Sequence, residues 1–211
     1  IGGRVVGVVD FCTPENVEFD DELQSALGST ACLMGQNIER RAQAAAEREA
    51  RRDAQAVTNV LSGLDRLETR NEALEHAMAV TCAAFDWSYA SAWVLGENGA
   101  IEFLCDHGDV GRRFRSETHA TAFKPGQGLV GKAWVSGDVH FVKDLRELDG
   151  YMRREAAHQA GVCSGTAVPL VCDDGKTLAV LDFCSPRVME LSNTRRETLN
   201  TLGSVVSSAV R

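Results

Sequence analysis

The sequence predicts an α+β fold: an antiparallel sheet with helices gathered on one side and at its ends, preceded by a long coiled-coil connecting helix. Three observations carry this. From about position 85 onward, segments alternating every second residue and segments of helical period follow in the order two strands, helices, strand, helix, two strands, helix. The stretch from about Arg40 to Ala84 holds no proline and a single glycine, Gly63. Finally, Val8-Val9-Asp10-Phe11-Cys12-Thr13-Pro14 is echoed by Val180-Leu181-Asp182-Phe183-Cys184-Ser185-Pro186, an offset of 172 residues between Asp10 and Asp182.

The echo accounts for the N-terminal part. It continues without a gap, Phe19 matching Leu191 and Leu27 matching Leu199, and each copy runs into an apolar-periodic helix after a polar start at Asp20-Asp21 or Ser192-Asn193. Residues 1–40 therefore read as the closing strand and helix of a preceding domain. The strand Val5 to Cys12 presents an unpaired edge on which another chain can pair.

Residues 41–84, rich in Ala, Glu, Arg and Gln, read as one connecting helix. Val57, Val60, Leu64, Leu67, Asn71, Leu74, Met78 and Thr81 alternate three- and four-residue steps, as the seam of a two-stranded coiled coil requires, with Asn71 at an a position. That pattern predicts a parallel homodimer through helices 41–84 and 192–211. The same stripe also fits a helix packed on its own domain.

Beyond it, Tyr89 to Leu95 and Ala100 to Cys105 alternate around the turn Gly96-Glu97-Asn98-Gly99 and predict a hairpin. A short polar helix near Gly111 to His119, a glycine-punctuated stretch from Lys124 to Gly137 and a strand from Val139 to Val142 come next. Tyr151 to Ala160 reads as a short helix. Strands Ser164 to Val171 and Lys176 to Cys184, joined by Cys172-Asp173-Asp174-Gly175, lead to a final helix from about Ser192 to Val210.

Composition narrows the function. At 44% hydrophobic and 25% charged residues the 211-residue chain has the balance of a globular protein, sized for one domain with additions. A formal charge of -8 argues against the broad electropositive surface that nucleic-acid binding uses. No apolar run reaches the roughly 18 to 20 residues that span a bilayer, so no membrane insertion is expected. The start, Ile1-Gly-Gly-Arg, is neither a signal peptide nor an initiator methionine, and the expectation is a soluble piece of a larger cytoplasmic protein. Seven cysteines without a Cys-x-x-Cys pair read as reduced, buried thiols.

The chemistry-bearing motifs are few. Gly126-Gln-Gly-Leu-Val-Gly131 could cradle a phosphate, but it lacks the Gly-Lys-Ser/Thr spacing and a preceding strand. The structural reading is a turn that lets Leu129, Ala133 and Trp134 pack along a short helix. His76, His107, His119, His140 and His158 are dispersed without metal-ligand spacing, and no metal is expected.

Four segments occur in the order found in one family: Phe123-Lys-Pro-Gly-Gln-Gly-Leu-Val-Gly-Lys-Ala-Trp134, Val142-Lys-Asp-Leu145, Ala160-Gly-Val-Cys-Ser-Gly-Thr-Ala-Val-Pro-Leu170 and Leu178-Ala-Val-Leu-Asp-Phe183. On these, residues 72 to 211 resemble a complete GAF domain. The sheet-bearing part is placed at 85–211, and the first 40 residues resemble the end of a second such domain. The nearest likeness is to GAF domains of bacterial chemoreceptors and sensor histidine kinases. The resemblance implies a six-stranded antiparallel sheet, helices behind it, a ligand cavity in front and an output domain under its control.

Carried onto this chain, the resemblance places Phe103, Phe123, Trp134, Tyr151, His158, Cys163 and Thr166 at the pocket. No cofactor is required. His119 and His158 lie in segments that cover the pocket in this fold, and either could serve as an axial haem ligand. Relatives that carry a linear tetrapyrrole commonly use a Cys-His pair, which this sequence lacks. The enzymatic alternative resembles free methionine-sulfoxide reductase, but Val130 stands where that motif has a cysteine, and Cys163 is followed by Ser164 instead of Asp. Cys163 reads either as a thiol activated by Arg153 or Arg154, or as an inert partly buried one.

Two functions remain in competition. One is a non-enzymatic regulatory module in which a small molecule sets the arrangement of Tyr151 to Ala160 and, through it, of the dimeric helices. The other is a ligand-free dimerisation spacer in which Phe103, Phe123, Trp134 and Tyr151 are core.

Overall fold

The computed structural model describes residues 5–14, 20–64, 67–148 and 150–210. Phe19, which the echo matches to Leu191, and the first four residues lie outside them. The chain divides into two compact units, Ile1–Arg51 and Arg52–Arg211.

In the first unit, helix α1 (Asp21–Leu64) begins where the Asp20 carboxylate accepts a hydrogen bond from the Leu23 amide at 2.7 Å. This is the polar start read from the echo. The strand expected at Val5 to Cys12 does not form: the described residues 5–13 take no regular structure. A strand exists only through the ladder its partner supplies, and a closing strand without the rest of its sheet has no partner among the described residues.

The connecting helix also differs from expectation. In place of one helix from Arg40 to Ala84 there are two, α1 and α2 (Arg70–Phe85). The cause is a capping box. Thr69 Oγ1 accepts from the Glu72 amide at 3.2 Å, while the Glu72 carboxylate accepts from the Thr69 and Glu68 amides at 3.0 and 3.2 Å. At Gly63 the two helices touch: a Cβ there would lie 1.9 Å from the His76 ring, so a side chain at this position would force that ring aside.

The expected seam belongs to the core of the second unit. Val60, Leu74 and Met78 are fully buried, Thr81 is buried beside them, and Val57, Leu64 and Leu67 pack against the same cluster, while Asn71 stands exposed. The stripe thus covers the back of the sheet, which is the second of the two readings it allowed.

The sheet has six antiparallel strands in the order β3-β2-β1-β6-β5-β4. They are β1 (Tyr89–Leu95), β2 (Ile101–Gly108), β3 (Ala122–Phe123), β4 (His140–Val142), β5 (Ser164–Val171) and β6 (Thr177–Ser185). The two-residue β3, too short to read from alternation, is the sixth strand. Behind the sheet lie α2, the end of α1 and α6 (Asn193–Ala209), on Ala90, Ala92, Val168, Leu170, Leu181 and Phe183. A Cβ at Gly203 would meet the Pro169 carbonyl at 2.6 Å, so α6 rides close on β5. Arg195 of α6 binds the buried Asp53 of α1 at 3.0 and 3.3 Å. In front lie α3 (Arg112–Ala120), α4 (Gly128–Ser136), a 3-10 turn at Leu145–Glu147 and α5 (Arg154–Gln159). No helix among the described residues is long and apolar enough to cross a membrane.

Candidate functional site

Strand alternation sends Tyr89, Ser91 and Trp93 of β1 and Val180, Asp182 and Cys184 of β6 to the front face, since their neighbours Ala90, Ala92, Leu181 and Phe183 pack behind. The register aligns Asp106, Ser91, Asp182 and Ala167 in one row across β2, β1, β6 and β5. Two carboxylates therefore flank Ser91 on a face otherwise apolar, and each has recruited an arginine.

Arg153, immediately before α5, lowers its side chain onto Asp182. Nη2 lies 2.5 Å from Asp182 Oδ2, and Nη1 donates to Thr118 Oγ1 at 3.2 Å. Both members of the pair are 1% exposed. Four rings surround the guanidinium: Phe114 at 5.1 Å, Trp93 and Tyr151 at 5.6 Å, and Phe123 at 5.8 Å from its central carbon. Burial pushes the Asp182 carboxyl above its ordinary value, and Arg153 works against that rise through its charge and hydrogen bond. Arg153 stays charged: burial disfavours its cation, but the charge and hydrogen bond of Asp182 work against that and its pKa is raised. Among the described residues, two buried side-chain polar atoms lack a hydrogen-bond partner, Arg153 Nε and Tyr151 Oη. Outside Tyr151, a cavity of about 330 Å³ is bounded by Leu145, Arg146, Ala157, His158 and Val162.

The second carboxylate, Asp106, accepts from Arg115 Nε and Nη2 at 2.7 Å each, from His119 Nε2 at 2.8 Å and from Tyr89 Oη at 3.0 Å. Burial would raise its pKa, but the bonds from Arg115, His119 and Tyr89 prevail and hold it at about 2. A depressed carboxyl contributes stability above its ordinary 3.8, and that contribution is lost as pH falls from 3.8 through about 2. Since Arg115 and His119 are half exposed, Asp106→Asn is expected to cost about 1 kcal/mol at pH 7 in urea unfolding, and the difference should vanish below pH 2. An equal loss at both pH values would mean that Asp106 acts through shape alone.

The residues expected at the pocket separate. Phe123 is one of the four rings boxed around the guanidinium; Phe103 stands edge-on to Trp93 of that box at 6.0 Å, and Trp134 packs against the same cluster without being one of the four. Tyr151 and His158 line the cavity, Tyr151 also walling the box. Cys163, half-buried at the foot of β5, directs its thiol to the Gly161 carbonyl at 3.5 Å and lines neither feature. Thr166 is a correction: it stands opposite Phe183, on the rear face of the sheet and away from the site, because its parity matches Val168 and Leu170. His119, the haem candidate, is engaged by Asp106 and stacks on Phe103 at 4.2 Å. Burial pushes the Cys82 and Cys105 thiols up to about 12 and raises that of Cys184, so none is a ready nucleophile.

Sequence reasoning missed Arg153, Asp182, Trp93 and Phe114 as a site. The available signal was Asp182 itself, a lone charge within the apolar run Leu178 to Cys184, since a buried carboxylate demands a cation. The partner, 29 residues earlier in the short segment Tyr151 to Ala160, carried no local mark.

Residues 68–211 match the sequence profile of the family described as GAF domain. No curated protein matches. Among solved structures, the chain resembles the GAF domain from a phosphoenolpyruvate-protein phosphotransferase of Coxiella burnetii (TM-score 0.65, 13% identity, covering 76% of this chain and 94% of that one). It also resembles the free methionine-R-sulfoxide reductase of Neisseria meningitidis in complex with its substrate (0.61, 19%, 75% and 87%). A third is the GAF domain from an Acinetobacter phosphoenolpyruvate-protein phosphotransferase (0.61, 14%, 75% and 92%).

Proposed function

The chain belongs to the GAF domain family through residues 68–211, and on that premise we propose that it is a regulatory module of a bacterial signalling protein, of chemoreceptor or sensor-kinase type, which binds a small molecule in front of its sheet. The observation that carries this reading is the buried Arg153–Asp182 pair inside four aromatic rings, beside a cavity of about 330 Å³. A spacer has no need of an ion pair in that place, because apolar residues of the same volume would stabilise the sheet at least as well.

The same strands support a route for the signal. Leu181 and Phe183, on either side of Asp182, face back onto Leu199, Leu202 and Val206 of α6, and α6 is pinned to α1 through Arg195 and Asp53. A ligand that binds two states of the Tyr151 to Ala160 segment unequally shifts β6 and α6 between two packings and biases the helices of a homodimer. Enzymatic turnover is not part of the reading. The position of the reductase cysteine is Val130, fully buried in α4, and Ser164 donates to the Arg187 carbonyl.

The test is a thermal-shift screen of the chain against a metabolite library, followed by hydrogen exchange of α1 and α6 with any compound found. A saturable stabilisation of about 2.7 kcal/mol at a hundredfold excess over Kd, with altered exchange in α6, is expected. A silent library with an intact dimer would favour the spacer reading.

A further inference from the structure

The box around Arg153 has the composition of a receptor for a cation, and the chain's own side chain occupies it. Trp93, Phe114, Phe123 and Tyr151 present ring faces within 5.1–5.8 Å of the guanidinium carbon, Asp182 supplies the opposite charge, and Thr118 supplies a second acceptor. We propose that this box is the binding site of a small alkylguanidinium compound, and that Arg153 is a tethered occupant which the ligand displaces. The inference rests on the small-molecule reading above and names the ligand class for that site.

Charge conservation selects the class. Asp182 is 1% exposed, and the only side chain that pairs with it among the described residues is Arg153. An anion entering beside the pair would add a second buried negative charge, and one that expelled Arg153 would face Asp182 directly. A neutral compound that expelled Arg153 would leave Asp182 unpaired. Only a cation that takes the place of the arginine keeps the interior neutral, and the fork of contacts to Asp182 and Thr118 fits a planar guanidinium better than a compact ammonium.

The tethered occupant is also an imperfect one. Its Nε and the neighbouring Tyr151 Oη are buried without hydrogen-bond partners, which native interiors rarely tolerate. A free ligand, not bound by the reach of an arginine side chain, can be placed to satisfy its donors. Departure of Arg153 is topologically simple. It hangs from a surface segment whose neighbours Met152 and Arg154 are exposed, and Gly150 and Gly161 on either side both have φ of +69°. Tyr151 walls both the box and the outer cavity, so displacement of the arginine opens one space into the other.

Chemical complementation tests this. Arg153→Ala in the full chain is titrated with methylguanidinium, with the neutral isostere methylurea and with sodium chloride, each to about 10 mM, well below denaturing concentrations. The expected result is a saturable rise in Tm of about 5 °C with methylguanidinium alone, absent from Arg153→Ala/Asp182→Asn. If Arg153→Ala is unfolded in buffer, the same titration is read as recovery of far-UV circular dichroism. In the wild type, where the tethered arginine competes at high effective concentration, the shift should be smaller. No saturable response in Arg153→Ala, an equal response to methylurea, or an equal response in the double variant overturns the proposal. The library screen on the wild type keeps the two readings apart. Stabilisation by an anionic or neutral compound, with Arg153→Ala silent to methylguanidinium, overturns the cation site and leaves the regulatory module standing; silence in both removes both.

Discussion

Asp182→Ala is expected to lower stability by about 3–5 kcal/mol, the largest effect of any single change at the site. The loss does not measure the worth of the ion pair. It measures the cost of leaving Arg153, 1% exposed and ringed by Phe114, Trp93, Tyr151 and Phe123, as a buried charge with only Thr118 for a hydrogen-bond partner. Arg153 cannot relieve the strain by deprotonating, and its escape to solvent would leave a cavity between the rings. Replacing both residues, as Arg153→Met/Asp182→Leu, removes the uncompensated charge and should recover most of the loss or exceed the wild type. Urea unfolding of the three proteins checks this. If the double variant were as unstable as Asp182→Ala, the pair would be doing more than neutralising itself, and the argument that a spacer has no use for it would fail. If it were stable but no longer bound a ligand that the wild type binds, the pair would be there for recognition.

Leu74→Ala is expected to cost about 3 kcal/mol, within the usual 2–5 kcal/mol for a fully buried leucine. The manner of the loss matters as much as its size. Leu74 is 0% exposed and packs in the cluster formed by Ala56, Val60, Met78, Leu181, Phe183 and Leu199. Removing its isobutyl group should destabilise the domain itself, with a midpoint independent of protein concentration. Were Leu74 a knob in a two-stranded seam, the variant would keep its fold and lose its dimer, and the midpoint would fall on dilution. Unfolding at two concentrations a hundredfold apart, with sedimentation velocity on the same samples, decides between these. Asn71 stands exposed at the start of α2, so Asn71→Leu should leave the domain's stability within about 0.5 kcal/mol.

Much of the architecture is legible in the sequence. Alternation around Gly96-Glu97-Asn98-Gly99 marked the first hairpin, that around Cys172-Asp173-Asp174-Gly175 the last, and the polar start at Ser192 marked α6, whose first turn Ser192 caps. These elements are local: their signals lie within the residues that form them. The aromatic wall was partly legible for the same reason, since Phe123 opens one of the motifs that carry the family resemblance and Tyr151 lies between two others. The parity of Thr166 was misplaced because the face a strand residue occupies depends on its register against β6, which alternation within β5 does not fix.

The sequence by itself determined the order of elements, the antiparallel hairpins and the membership of residues 68–211 in a family of ligand-binding and regulatory domains. It also held a signal that the motif reading passed over, Asp182 as a lone charge in an apolar run. Tertiary structure alone decided that the partner is Arg153, that the seam from Val57 to Thr81 closes the domain's own core, and that Thr69 breaks the helix between its halves. The physical reason is that periodicity states which residues seek burial but not against what. An apolar stripe fits a sheet or a second copy equally well, and a buried carboxylate accepts any cation the fold brings within reach.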